Sequence, residues 1–164
     1  MEIELDSLTL TRYSDEFIEL KNEFVKGESY SEYIHYISER LENSQNIDRV
    51  FDSAFVVLDG DCPIGYLYIS NSRGDEVFLE YALLKEYRGK GYASTLIDEV
   101  TDYLFEEFNI RSIRLDIDPS NKSSMNVAGA CGYIEDEEEY ASRNYVGRIQ
   151  FVKDNYYYNS KRRK

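Results

Sequence analysis

Apolar positions along this chain switch repeatedly between a spacing of two and a spacing of three to four. Leu8 to Tyr13 alternates, as a half-buried strand does. Phe17, Leu20 and Phe24 follow at helical spacing, with Ser14 or Asp15 placed to cap that helix and Gly27 to end it. A second helix is predicted from Ser29 or Ser31, with Tyr33, Ile34, Ile37 and Leu41 on one side. The polar loop NSQNID leads to a strand over Ser53 to Leu58. Asp59-Gly60 is a hairpin signal, and Pro63 opens the next strand, Ile64 to Ser70. Glu76 to Leu84 is apolar on both alternating faces, the mark of a central strand covered on both sides. The clearest helix follows Gly91. Ala93, Ile97, Val100, Leu104 and Phe108 recur on it, and Asp98, Glu99, Asp102, Glu106 and Glu107 between them face water. Ser112 to Asp118 is a further strand, followed by a short helix from about Ser123 that stops near Gly132. Glu135 to Glu139 is a solvated acidic run, and RNYVGRIQFV is the last strand.

The order is strand, two helices, three strands, helix, strand, helix, and one strand or two. It predicts one α+β domain over residues 1–154 with a mixed sheet, and a flexible basic tail over 155–164. Aromatics supply much of the core, since the chain has 16 Tyr, 8 Phe and no Trp. The formal net charge of −13 argues against a nucleic-acid partner, which needs a basic footprint, and suits a cationic substrate. No stretch is apolar for long enough to span a bilayer, and the acidic start is unlike a secretion signal. Cys62 and Cys131 form no metal-ligand spacing and no disulfide framework, and the single histidine, His35, makes a zinc site unexpected. No metal and no membrane partner are expected, and a reducing cytoplasm is the expected compartment.

The chemistry concentrates in YRGKGYA, residues 87 to 93, where the central strand gives way to the clearest helix. A helix N-terminus offers unpaired N–H groups and partial positive charge, and glycines let an anion approach the backbone. Gly89 and Gly91 meet that need, and Arg88 and Lys90 add full charges. A nucleotide P-loop would require Lys then Ser or Thr after the second glycine, where Tyr92 and Ala93 stand. A dinucleotide fingerprint would require a third glycine, where Ser94 stands.

What remains resembles the GNAT superfamily of N-acetyltransferases. Arg88, Gly91 and Ala93 match its [Q/R]-x-x-G-x-[G/A] signature, with Gly89 as the usual extra glycine. Asn121, Ser124 and Gly132-Tyr133 match its second block, N-x-x-S followed by a short helix and Gly-Phe or Gly-Tyr. The resemblance implies a layered α/β/α fold with a mixed, mostly antiparallel sheet that splays between the fourth and fifth strands. It implies acetyl-CoA as cosubstrate. The pyrophosphate would be held by the backbone of Arg88, Gly89, Lys90, Gly91, Tyr92 and Ala93. The pantetheine arm would lie along Leu83 and Leu84, and Asn121 and Ser124 would touch the coenzyme near that arm. The two N-terminal helices would wall an acceptor pocket, where Glu16, Glu19, Glu23, Glu28, Glu32 and Glu39 favour a cationic amine, either a small molecule or a peptide N-terminus. Homodimers are common in the superfamily.

Direct acyl transfer needs a base, because an alkylammonium with a pKa of about 10.4 must lose a proton before it attacks. Glu80 is the candidate, as an ionisable residue inside the apolar central strand whose burial would raise its pKa, and Glu76 is the rival. Many family members carry a tyrosine acid four residues before the motif glycine. Here Ala128 stands there, leaving Tyr133 or Tyr145 as substitutes. That departure keeps a second class open: an acyl-CoA-binding module without catalysis that regulates a partner.

Overall fold

The strand and helix patterns become fourteen short elements in a computed structural model, which describes residues 1–27, 32–71, 74–137 and 148–159. The strands are β1 (Glu2–Glu4), β2 (Thr9–Thr11), β3 (Ser53–Asp59), β4 (Cys62–Ser70), β5 (Glu76–Leu83), β6 (Ser112–Ile117), β7 (Ile134–Glu135) and β8 (Ile149–Asp154). The helices are α1 (Ile18–Gly27), α2 (Glu32–Asn43), α3 (Tyr92–Glu107) and α4 (Lys122–Ala130), with 3-10 turns at Asp15–Phe17 and Lys85–Tyr87. The fourth and fifth strands counted from sequence are β5 and β6, because β1 precedes them. It buries Ile3 between exposed Glu2 and Glu4, a pattern too short to read from spacing alone. No helix of the described residues is long and apolar enough to cross a membrane.

One compact unit comprises Met1–Ile69 and Tyr81–Tyr92. In it β1, β2, β3 and β4 lie in that order, each antiparallel to the next. The β3–β4 register shifts between Val57 and Leu58, and Pro63 sits opposite Leu58 there. A proline lacks a ladder donor and is tolerated at such a bulge. Leu84 N–H donates to the Ile64 carbonyl at 2.9 Å, and beside it Gly65 has no room for a side chain. A Cβ at Gly65 would stand 2.5 Å from the Ala82 carbonyl oxygen. Phe17, Leu20 and Phe24 at the first helix, with Ile37 and Leu41 of α2, close over Ala54, Val56, Tyr66 and Leu84. Arg12 is buried beside this core, where it donates to the carbonyls of Ile47 (3.0 Å), Ala54 (3.0 Å) and Arg49 and lies over the Phe55 ring. It thereby fixes the polar loop between α2 and β3.

The other unit comprises Ser70–Glu80 and the chain from Ala93 onward. Its first four strand residues, Glu76–Leu79, pair in parallel with Ser112–Leu115 of β6. That register ends at Leu79↔Leu115, while β5 runs on to Leu83. β6 is antiparallel to β8 along its whole length, and β8 is antiparallel to β7. Pairing in the described strands is thus mixed and mostly antiparallel. α3 buries Leu96, Ile97, Val100 and Leu104 and turns Asp98, Asp102, Glu106 and Glu107 to water. α4 packs on β6 and ends in a Schellman turn. Tyr133 N–H donates to the Ala128 carbonyl at 3.0 Å, Gly132 N–H donates to the Gly129 carbonyl at 3.1 Å, and Gly132 takes φ +83°.

Two expectations change here. The acidic run from Glu135 is not uniformly solvated, because Asp136 is half-buried against Arg114 at 2.9 Å. The basic tail expected to fray from 155 is anchored as far as Asn159. Asn155 is buried and donates through its Nδ2 to the Ile110 carbonyl at 2.8 Å. The Tyr158 hydroxyl donates to Asp75 at 2.7 Å, and Asn109 and Asn159 exchange two hydrogen bonds. These are side-chain polar contacts between distant segments, which local charge does not foretell.

Candidate functional site

The glycine-rich segment lies in the first unit with Leu83 and Leu84. Both leucines are buried, and Arg88 Nε donates to the Leu83 carbonyl at 3.0 Å, so the loop folds back on the end of β5. Tyr87 N–H donates to the Leu84 carbonyl at 2.9 Å, which closes the 3-10 turn. Gly89 and Gly91 take φ +72° and +87°, a region that side chains with a Cβ rarely adopt. No heavy atom lies within 4 Å of where a Cβ would stand on either. These glycines serve backbone conformation and approach from outside, not tight internal packing. α3 starts at Tyr92, and its first turn carries no acidic residue in a chain of net charge −13. Arg88, Gly89, Lys90 and Gly91 are all exposed. The structure thus brings the buried Leu83 and Leu84 together with an exposed, cationic segment, Arg88 to Gly91, that leads directly into the N-terminus of α3.

Two tyrosines frame the segment. The Tyr92 hydroxyl donates to Asp59 Oδ2 at 2.6 Å, and the Tyr87 hydroxyl meets Cys62 Sγ at 2.8 Å. Their rings stand edge to face, 5.7 Å apart. The hydrogen bond with Cys62 is the main cause that pushes the Tyr87 hydroxyl up to about 12, and the bond to Asp59 raises Tyr92 likewise. Both stay protonated at neutral pH. Sequence reasoning missed these contacts. Asp59 reads there only as a turn residue, and the tyrosines flanking the glycines were the available signal.

In the second unit, Asn121 and Ser124 meet each other. The Asn121 side-chain oxygen accepts from Ser124 N–H at 3.0 Å as the N-cap of α4. Asn121 therefore has a helix-capping reason of its own, whereas the cap uses only the backbone N–H of Ser124 and does not account for the serine side chain. Ala93 is half-buried in the first turn of α3.

The carboxylates of β5 divide differently from expectation. Glu80 is half-buried, whereas Glu76 is 1% exposed. Glu76 accepts from Arg114 Nε at 2.7 Å and from the Ser112 hydroxyl at 3.0 Å. Arg114 also reaches Asp136 and Gln150. The buried carboxylate of this strand is thus a satisfied structural ion pair, and the burial argued for Glu80 belongs to Glu76. Tyr133 is equally committed. It is 3% exposed, its hydroxyl shares a 2.7 Å hydrogen bond with Thr101, and burial raises its pKa. Tyr145 and the His35 side chain lie outside the described residues. Glu16, Glu19, Glu23 and Glu39 are exposed to solvent, and Glu28 lies outside the described residues. Among the described residues no group of three or more His, Cys, Asp or Glu side chains is placed to hold a metal ion.

The model of the acetyltransferase (GNAT) family matches residues 15–133. The spermidine N(1)-acetyltransferase of Vibrio cholerae serotype O1 is 26% identical over 134 residues, which is 82% of this chain and 72% of that protein. A ribosomal L7/L12 alpha-N-protein acetyltransferase, solved in complex with coenzyme A, has the same fold with a TM-score of 0.76. The match covers 94% of this chain and 98% of that one, at 12% identity. A ribosomal-protein-S5-alanine acetyltransferase from Vibrio fischeri matches with a TM-score of 0.67 over 97% and 99% of the two chains, at 20% identity.

Proposed function

The chain belongs to the acetyltransferase (GNAT) family, and from that premise we propose that it transfers an acetyl group from acetyl-CoA to a primary amine by direct attack. The acceptor is a peptide N-terminus or a cationic small molecule, the two kinds of amine in the names of the relatives above. The observation that carries the proposal is the loop of residues 88 to 91. Two glycines hold positive φ in open space beside two cations, and the helix that follows opens without a carboxylate.

On this reading the backbone N–H groups from Arg88 to Ala93 take the pyrophosphate, with Arg88 and Lys90 adding charge. The backbone of Leu83 and Leu84 takes the pantetheine arm, and Asn121 and Ser124 contact the coenzyme from α4. Glu80, directly or through a water, takes the proton from the acceptor ammonium. The free amine attacks the thioester carbonyl, the C–N bond forms, the C–S bond breaks, and the attacking nitrogen gives its remaining surplus proton to the departing thiolate or to water. A thiol with a pKa of about 8.5 leaves as thiolate with little help at neutral pH, so the absence of a tyrosine at Ala128 is tolerable.

The first experiment is calorimetric titration with acetyl-CoA of the wild type and of Gly91→Glu, which sets bulk and negative charge in the loop. Binding by the wild type and none by the variant is the expected result. Failure of both to bind overturns the reading. A second reading has one observation in its favour. Ala128 replaces the usual acid and Tyr133 is tied to Thr101, as befits an acyl-CoA-binding module without catalysis. Coenzyme binding with no thiol release above background, across spermidine and peptide N-termini, would establish that reading instead.

A further inference from the structure

The loop of residues 88 to 91 is not held in shape by packing. Around Gly89 and Gly91 nothing lies within 4 Å of the Cβ positions, and both residues have the widest conformational freedom the chain offers. A loop of this kind loses much entropy when it closes on an anion, unless something fixes it beforehand. Arg88 Nε, donating to the Leu83 carbonyl, restrains one side of it, and two further contacts lie at its ends. Tyr87 stands immediately before it and Tyr92 immediately after. Their hydroxyls reach the two residues that close one hairpin turn, since Asp59 and Cys62 are ladder partners at the end of β3 and β4. Tyr87 also packs against the core of α1, α2 and Tyr66, and its ring meets that of Tyr92. Both ends of a four-residue loop are thereby tied to one point.

We infer that Tyr92 and Asp59 are positioning residues for the acyl donor: their hydrogen bond pre-sets the loop that takes the pyrophosphate, while the Asp59 charge limits how tightly that loop holds an anion. The inference rests on the coenzyme reading above. The two effects have opposite signs and can be separated. A hydroxyl donating to a carboxylate makes a strong bond but leaves the net negative charge in place. An asparagine at position 59 would still accept from Tyr92, without the charge.

The test uses wild type, Tyr92→Phe and Asp59→Asn. It reads the dissociation constant for acetyl-CoA by calorimetry at low and high salt, KM and kcat with a working acceptor, and the thermal midpoint. Loss of the clasp in Tyr92→Phe is expected to raise Kd and KM about tenfold with kcat unchanged. Asp59→Asn is expected to lower Kd about two- to threefold at low salt, a gain that vanishes at high salt. The inference is overturned if Tyr92→Phe binds as wild type does, if its kcat falls with its KM unchanged, or if Asp59→Asn binds more weakly than wild type. If Tyr92→Phe does not fold, Asp59→Asn decides alone by the presence or absence of its salt-dependent gain. Failure of the wild type to bind is a separate outcome, which removes the coenzyme reading itself.

Discussion

Cys131 closes α4 with its side chain inside the protein, 3% exposed, its Sγ 3.4 Å from the Ser94 carbonyl. Burial, with the Asp98 charge second, pushes its thiol from the ordinary value near 9 up to about 11. It is an unreactive packing residue, whereas Cys62 is exposed. The shift has a pH consequence. Between pH 9 and 11 the unfolded chain releases the thiol proton while the folded chain keeps it, so rising pH favours unfolding through that window. The stabilisation is fully present below pH 9 and falls by at most about 1.4 kcal/mol per pH unit across the window. Urea midpoints at pH 8 and pH 10.5 should show a steeper decline for wild type than for Cys131→Ala. The same residue-scale logic explains why Glu76 and Glu80 exchange places relative to expectation. A period of two assigns strand faces, but Arg114 lies 38 residues away and its choice of Glu76 leaves no trace in the pattern.

Among elements, the C-terminus of α4 shows how a family signature can carry a fold requirement. Gly132 sits at the left-handed position of the Schellman turn, and the next residue, Tyr133, drops into the core. A Cβ at Gly132 would stand 3.3 Å from Lys153 Nζ, the mobile end of a side chain that donates to the Cys131 carbonyl. Gly132→Ala should therefore cost about 1–2 kcal/mol, mostly backbone strain, and leave acetyl-CoA affinity unchanged. Chemical denaturation and calorimetry on the same sample check both halves. This element was legible in the sequence because glycine is the usual residue at such a stop. α3 was legible because its apolar spacing runs for sixteen residues. β1 and β7 were not, being three and two residues long and defined by their ladder partners. The glycine loop was legible as a backbone feature, and Gly89 and Gly91 do take positive φ, but the tyrosine contacts that shape it join residues 25 and 33 positions apart.

For the molecule as a whole, a net charge of −13 sets opposite conditions for the two proposed substrates. On the proposed reading the polyanionic coenzyme approaches against the global field, toward a local cationic loop. A cationic amine approaches along that field. Raising salt from about 20 mM to about 200 mM, which shortens the screening length several-fold, should speed coenzyme association and slow association of a cationic acceptor. Stopped-flow measurement of each distinguishes a cationic acceptor from an uncharged one. The acceptor itself was not legible, because Glu16, Glu19, Glu23 and Glu39, four of the glutamates expected to attract it, are simply exposed to solvent.

The anchoring of residues 155–159 bears on the order in which the protein can be made. Everything in the first unit has been synthesised once Tyr92 is added. The second must wait much longer, since β6 receives its antiparallel neighbour from Ile149–Asp154, and the carbonyls of Ile110 and Arg111 receive donors from Asn155. On the ribosome, then, one half of the chain can fold while β6 still presents an open edge, the kind of surface at which nascent chains pair wrongly with one another.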